Sequence, residues 1–573
     1  MKYRNITFWG ITGCCLFCFL QYKYSFYFYY IEQLQVFPVT WKYFWDAWSE
    51  PVGIASYLSG FLLQFFSVPY AGALITSCLL LAVGVLVQRI FGLMMPALLL
   101  ILTFLPLHLD MNYRLQGTVS FLFLLIAFLL YIHINKPWRR FASGLLLLPV
   151  LFWLGGSVMS LFVVSVISRE LLYRKRLWYC SLLLLVGLAV IFYLSVYSAW
   201  QGEYRMILFP DLYYEPLLKT EKIYYAWIVF FTSILFIRWL RVEKDVSGTT
   251  KGLFILSAEC LIFLFVLYRI GYNDDSILQE NMKQDYYLRT EQWNKIIETF
   301  SADKANIQTM SILNLALASR GELGDKLFHY PQSGKECLLP EWDSTLPNAI
   351  ALSDLNFHLG NIAAAQELAF EGNVSSLKGN PRLLQRLVQT NLIYGAYPVA
   401  EKYIRLLEQT LFYRKWANRQ RKYLYNDKCV QDDILLGPKR KSLIGNGNYA
   451  VNPVAWRTLE QLAINNPDNP MAFQYLLAWH MLGKTLKAFN ALYDKYYRTP
   501  VWPSLSVSHQ EAIVALFQDS PSVWAQKGVG LKVEQRFGAF NQDMIDKHGY
   551  VNFETVMETS YGDTYWFYLM FKK

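Results

Sequence analysis

Apolar residues fill the first half of the chain in long runs and recur at helical spacing through the second. Runs near 6–22, 69–88, 93–109, 115–134, 141–154, 156–171, 177–199, 223–240 and 252–271 predict about nine helices able to cross a bilayer, at about 20 residues each. The first follows the basic start Met1-Lys2-Tyr3-Arg4, lacks a small-residue cleavage site and leads into the aromatic stretch Tyr24 to Tyr30, so it is expected to remain as an uncleaved span ending in an interfacial belt. Gly155-Gly156 interrupts 141–171, which predicts two short helices forming a hairpin. The runs stop at Tyr272-Asn273-Asp274-Asp275. This sets a boundary between a transmembrane domain over 1–272 and a soluble domain over 273–573.

In the second half one phrase recurs: an apolar helix, a Gly, then a small residue five positions on. Leu352-Ser353-Asp354-Leu355 leads to Gly360 and Ala365, Leu387 to Asn391 leads to Gly395 and Ala400, and Tyr475-Leu476 with Trp479 leads to Gly483 and Ala488, with Pro500 beyond. Gly321, and Trp293 with Ile296 and Phe300, look like degenerate copies. The phrases resemble tetratricopeptide repeats, in which the Gly turns the chain and the small residue lets two helices approach. The expected fold class is therefore all-α: a polytopic helix bundle followed by an αα-repeat solenoid. The stretch from Asn426 to Pro453, with Gly437-Pro438, Lys439-Arg440-Lys441 and Gly445-Asn446-Gly447, breaks the pattern and predicts a long loop, read as a solvated insertion in preference to a lid or a partner contact.

Composition agrees with a membrane class: 54% hydrophobic and only 17% charged residues in 573, against roughly 25% charged in soluble proteins. The formal net charge of +10 is lopsided, because residues 1–272 hold 21 Lys/Arg to 12 Asp/Glu, while the remainder is almost balanced. That excess lies in short loops between apolar runs, so it speaks for membrane orientation and against nucleic-acid binding. With the hairpin in place, Lys2/Arg4, Arg89, Lys136/Arg139/Arg140, Arg169/Arg174/Lys175/Arg176 and Arg238/Arg241/Lys244/Lys251 share one side, which the positive-inside rule makes cytoplasmic. Residues 31–68, 110–114, 200–222 and the whole second half are then expected outside the cytoplasm.

Motif chemistry is sparse. Cys15-x-x-Cys18 sits in an apolar run and is read as packing, and Cys337 and Cys429 are left open as a pair or as free thiols. The histidines His329, His358, His480, His509 and His548 are scattered and read as packed or surface residues. Nucleotide-binding, zinc-protease and serine-hydrolase signatures do not occur. The outward loops carry Trp41, Trp45, Asp46, Trp48 and Glu50, then Asp110 and Arg114. This layout resembles, in topology only, the GT-C class of integral-membrane glycosyltransferases, which use outer-loop carboxylates on lipid-phosphate sugar donors. That resemblance implies Asp46 or Glu50 as base or ligand of a divalent metal, Asp110 as a second carboxylate and Arg114 against the donor phosphate. Glu259, a carboxylate inside an apolar run, is expected to be a structural or functional polar site.

A broader resemblance runs the whole length. Asn314-Leu315-Ala316-Leu317-Ala318, Phe328 to Gly334, His358-Leu359-Gly360 to Glu371, and Gln389-Thr390-Asn391-Leu392 to Lys402-Tyr403 resemble an uncharacterised bacterial family of multi-pass inner-membrane proteins with a repeat-like C-terminal region. It implies architecture and compartment, and no activity. Three function classes stay open: a membrane-anchored binding or assembly protein holding a protein or peptide partner on its periplasmic repeats, a GT-C-like enzyme, and a transporter.

Overall fold

The computed structural model describes residues 2–174, 178–197, 204–215, 218–240, 250–272, 276–376, 378–443, 455–466 and 469–572. The chain divides into two compact units, Met1–Glu32 with Phe37–Asp275, and Gln33–Val36 with Ser276–Lys573. Both are helical. Among the described residues the only β pairing is isolated, as between Tyr113 and Tyr214.

In the first unit every expected span falls on helix among the described residues, but the lengths differ from expectation. Ala71–Phe91, Gln116–His133 and Cys180–Tyr197 are long and apolar enough to cross a membrane, with mean hydropathies of 2.1, 1.8 and 2.4. Met95–His108 has 14 residues; at 1.5 Å per residue it reaches only about 21 Å, short of a hydrocarbon core of about 30 Å, while Val158–Arg169 has 12 and continues as a π-helical turn over Glu170–Arg174. Among the described residues, three of the expected crossings thus fall on helices of spanning length. The first helix, Lys2–Glu32, runs on past the expected span and kinks at Tyr24 (φ −120°, ψ 20°). Pro137–Gly155 ends where Gly156 takes φ 73°, and Val158–Arg169 begins two residues on and packs against it. Helices here approach closely over small residues: a Cβ at Gly84 would come within 2.8 Å of side-chain atoms of both Trp9 and Ile101, so three helices meet closely there. Arg140, counted above among the cytoplasmic charges, is instead buried and donates to Glu170 at 2.9 Å.

The second unit is built from helix pairs with a shared turn. After Ser276–Arg289, Ile307–Ser319, Leu346–Leu359, Pro381–Tyr394 and Pro470–Leu482, the chain makes the same two hydrogen bonds. The amides of Glu291, Gly321, Gly360, Gly395 and Lys484 reach back three residues, and the next amide reaches back five. This is the Schellman pattern, which needs a left-handed residue at the turn. Those five residues have φ of 53°, 73°, 90°, 76° and 54°. In the third expected repeat the turn residue is thus Lys484, one place after Gly483, and the buried residue of the returning helix is Phe489 instead of Ala488. Ala365 and Ala400 are fully buried, as the close approach requires.

Two apolar cores result. One gathers Leu383, Leu387, Ile404, Val430 and their neighbours, and the other runs from Leu288 through Leu359 and resumes from Leu459 to Tyr568. Ile307–Ser319 packs on Pro470–Leu482, and Leu323–Lys326 on Val507–Leu516. Such contacts across more than a hundred residues are foreign to a chain of repeats touching only their neighbours. The expected loop after Asn426 is partly helical, with Asp427–Gln431 and Leu436–Lys441; its remainder over 444–453 lies outside the described residues.

Candidate functional site

The apolar first helices of these pairs carry a few polar residues at helical spacing. Asp354 and His358 lie four apart on Leu346–Leu359; Arg382, Arg386 and Gln389 follow at four and three on Pro381–Tyr394, so each set occupies one helix face. The two faces meet. Arg382 donates from Nε to Asp354 Oδ2 at 2.9 Å and from Nη1 to Asp285 Oδ1 at 2.8 Å. Arg386 donates to Asp354 Oδ1 at 2.8 Å and to Gln389 Oε1 at 2.8 Å, and lays its guanidinium 3.5 Å from the Phe357 ring centroid. The short segment Gln33–Val36 takes part: Gln33 accepts from Arg382 at 3.3 Å and donates to Asp285 at 3.3 Å, while the Val36 amide donates to the Lys378 carbonyl at 2.9 Å.

Beside this network opens a cavity of about 210 Å³, lined by Arg289, Glu291, Asp354, Phe357, His358, Arg382, Gln385, Arg386, Gln389 and Trp416 among others. Burial alone would raise the Asp354 carboxyl, but Arg382 and Arg386 override it and hold it well below the carboxylate range. Burial, reinforced by Lys439 and Arg386, brings His358 down to about 3, so its imidazole is neutral at pH 7. Lys439 belongs to the stretch expected to be solvated, yet its ammonium donates to the Phe357 carbonyl at 2.6 Å and sits 4.6 Å from the Phe357 centroid. Burial and the neighbouring Arg386 bring Lys439 down to about 8. The cation closes the C-terminal end of Leu346–Leu359, where the carbonyls of Phe357 and His358 and the helix dipole attract it.

The residues singled out from sequence sit elsewhere. Asp46 is exposed on Trp41–Trp48, a helix that buries no residue, and Glu50 is exposed just past it. Asp110 is half-buried; its carboxylate accepts from the Asn112 amide at 3.0 Å and from the Tyr214 hydroxyl. Arg114 pairs with Glu215 at 3.3 Å, and its amide donates to the Tyr213 carbonyl at 2.9 Å. The loops around 110–114 and 205–224 therefore meet, and Asp211 beside them pairs with Lys219 at 2.5 Å. Glu259 is half-buried on Thr250–Tyr272. Among the described residues no three His, Cys, Asp or Glu side chains gather as a metal site. Cys337 is buried and Cys429 half-buried, both as free thiols.

Asp285, Arg382, Arg386 and Lys439 escaped sequence reading. A trace of them was present: two arginines four apart inside an apolar helix face, matched one repeat earlier by a carboxylate and a histidine four apart.

The chain belongs to the family described as Family of unknown function (DUF6057), whose model matches residues 1–572. No curated protein matches it. No solved structure does either.

Proposed function

We propose that this is a multi-pass bacterial inner-membrane protein whose second unit is a periplasmic, tetratricopeptide-like binding platform for a protein or peptide of the cell envelope. The carrying observation is the buried polar network of Asp285, Asp354, Arg382 and Arg386, which opens a cavity between the first helices of successive pairs. Repeat proteins present ligand-binding residues on just such a series of equivalent helix faces. The five shared turns support the repeat reading, and the apolar helices of the first unit support the anchor. So does Leu183–Tyr197, which buries only Leu184 and Ser195 and exposes Leu183, Val186, Val190 and Leu194 by half or more; an apolar surface of that extent suits lipid. The loop ends near 52, 110–114, 156 and 205–224 lie together in the first unit, Val52 and Leu212 flanking Gly156, as one outer face requires. Affinity recovery of partners from solubilised membranes tests the reading. Gln389→Ala with Arg386→Ala should abolish recovery, and unchanged recovery would overturn it.

A second reading rests on a different observation, the meeting of Asp110 and Arg114 with Tyr214 and Glu215. In it the first unit is a GT-C-like glycosyltransferase using a lipid-phosphate-linked sugar, with Asp110 as the carboxylate that deprotonates an acceptor. Asp110→Asn, Asp46→Asn and Glu50→Gln test it: full activity in all three on a lipid-linked sugar donor would end it. A transporter role would centre on Glu259, the carboxylate on Thr250–Tyr272.

A further inference from the structure

We propose that the cavity between Leu346–Leu359 and Pro381–Tyr394 is a receptor for a single oxyanion group, phosphate or carboxylate, held by Arg386, Gln385 and His358 within the field of Lys439. The inference deepens the binding-platform reading and rests on it.

The charges around the cavity do not balance. Three buried or nearly buried cations, Arg382, Arg386 and Lys439, face two buried carboxylates, Asp285 and Asp354. Both carboxylates are spent on the arginines, Asp354 taking Arg382 and Arg386 together and Asp285 taking Arg382. Among the described residues Lys439 has no ion-pair partner; it is held by the carbonyls of Phe357 and His358 at 2.6 and 3.5 Å and by the Phe357 ring. A half-buried lysine whose ammonium is held by carbonyls beside an arginine, with only the more than half exposed Glu291 carboxylate acting on it from the mouth, lacks the close counter-charge that buried cations ordinarily have. Phe357 carries both cations against its ring and itself lines the cavity, so the excess positive potential falls there.

The remaining lining fits a hydrogen-bonded anion. Arg289, which donates to the Tyr413 hydroxyl at 2.9 Å, also lines the cavity, and Glu291 is more than half exposed at the mouth, 3.9 Å from His358 Nε2. Gln385 lines the cavity, and among the described residues its side chain makes no hydrogen bond, leaving its side-chain amide able to donate. A neutral imidazole can donate one further bond without carrying charge of its own. At about 210 Å³ the space falls below the roughly 300 Å³ at which pockets begin to enclose whole drug-sized ligands. It suits one functional group, with the rest of its carrier outside.

The test is isothermal titration calorimetry of the detergent-solubilised full chain with sodium phosphate, and separately with sodium acetate, against sodium chloride at matched ionic strength. One-site binding of either anion is expected, weakened at least about tenfold in Arg386→Gln and in Lys439→Met, as loss of a charged hydrogen-bonding partner predicts. Phosphate binding alone assigns phosphate carriers; acetate binding alone assigns carboxylates. Lys439→Arg keeps the charge and should bind as the parent does, which guards against a folding defect in the Met variant. Heat from neither anion, or equal binding in Arg386→Gln and Lys439→Met, overturns the inference. Partner recovery read in the same variants separates the two levels: recovery lost where no anion binds removes the oxyanion and keeps the platform, while anion binding that persists where no partner is recovered keeps the oxyanion and removes the platform.

Discussion

Arg382 grips Asp354 across two helices of neighbouring pairs, 28 residues apart in sequence, with both side chains almost wholly buried. The same guanidinium reaches Asp285, so one cation binds together three helical segments. Removing one partner from such a pair strands the other's charge out of water. Arg382→Met or Asp354→Asn is therefore expected to cost about 3–5 kcal/mol, and the double variant less than the sum. Thermal unfolding of the solubilised full chain, followed in all four corners of the cycle, checks this; additive losses would show that the pair is not coupled.

His358 sets an acid limit on stability. Its folded value of about 3 lies below that of an exposed histidine, because burial and then Lys439 and Arg386 oppose its charge. The unfolded chain thus binds a proton that the folded chain does not, and the stability present above about pH 6.5 declines as pH falls below it, continuing toward pH 3. Asp354, whose carboxyl is held low, adds a loss in the same direction below about pH 4. Between pH 6.5 and 5 the His358 contribution is roughly 1–2 kcal/mol, and His358→Gln should flatten the profile by that amount. An unchanged profile would mean that another group sets the limit.

Glu511 acts with the opposite sign. Burial raises it to about 7 against the favourable amide of Tyr565, which donates to its carboxylate at 2.8 Å. The folded chain is the one that holds the extra proton, so this group adds stability at low pH and loses it as pH rises from about 4.5 through 7. Glu511→Gln retains an oxygen for the Tyr565 amide and is expected to raise the unfolding temperature at pH 8 while changing little at pH 5. A lower unfolding temperature at pH 8 would refute it.

The shared turns make a backbone prediction. Gly360 has φ 90° with no atom nearer than 3.4 Å to a substituted Cβ, so Gly360→Ala tests backbone strain alone and should cost about 1 kcal/mol. Glu291 occupies the equivalent turn with φ 53°, and Glu291→Gly should recover some tenths of that, less the extra chain entropy of glycine. Unfolding of both variants beside the parent decides it.

The orientation prediction is checked by cysteine labelling or reporter fusions at Ser143, Gly156, Ser247 and Lys573. Gly156 and Lys573 are expected outside, Ser143 and Ser247 inside. A cytoplasmic Lys573 would place the platform on the other face and separate it from the outer loops.

Local pattern alone settled a good deal. Apolar runs of helical length, the interruption at Gly155-Gly156 and the turns at Gly321, Gly360 and Gly395 were all legible, because each depends on residues close in sequence. The turns at Glu291 and Lys484 were not, since a non-glycine residue in a left-handed conformation leaves no compositional mark and is imposed by the packing of its two helices. The same limit hid the site. Arg382 and Arg386 in isolation are an unremarked pair on a helix, and Lys439 is one of three basic residues in a stretch rich in glycine. Only the fold brings Asp285, Asp354, Arg382, Arg386 and Lys439 to one place from separate regions of the chain, and only burial makes their unequal charges matter, because electrostatic interactions that water would screen become strong when the groups are withdrawn from it.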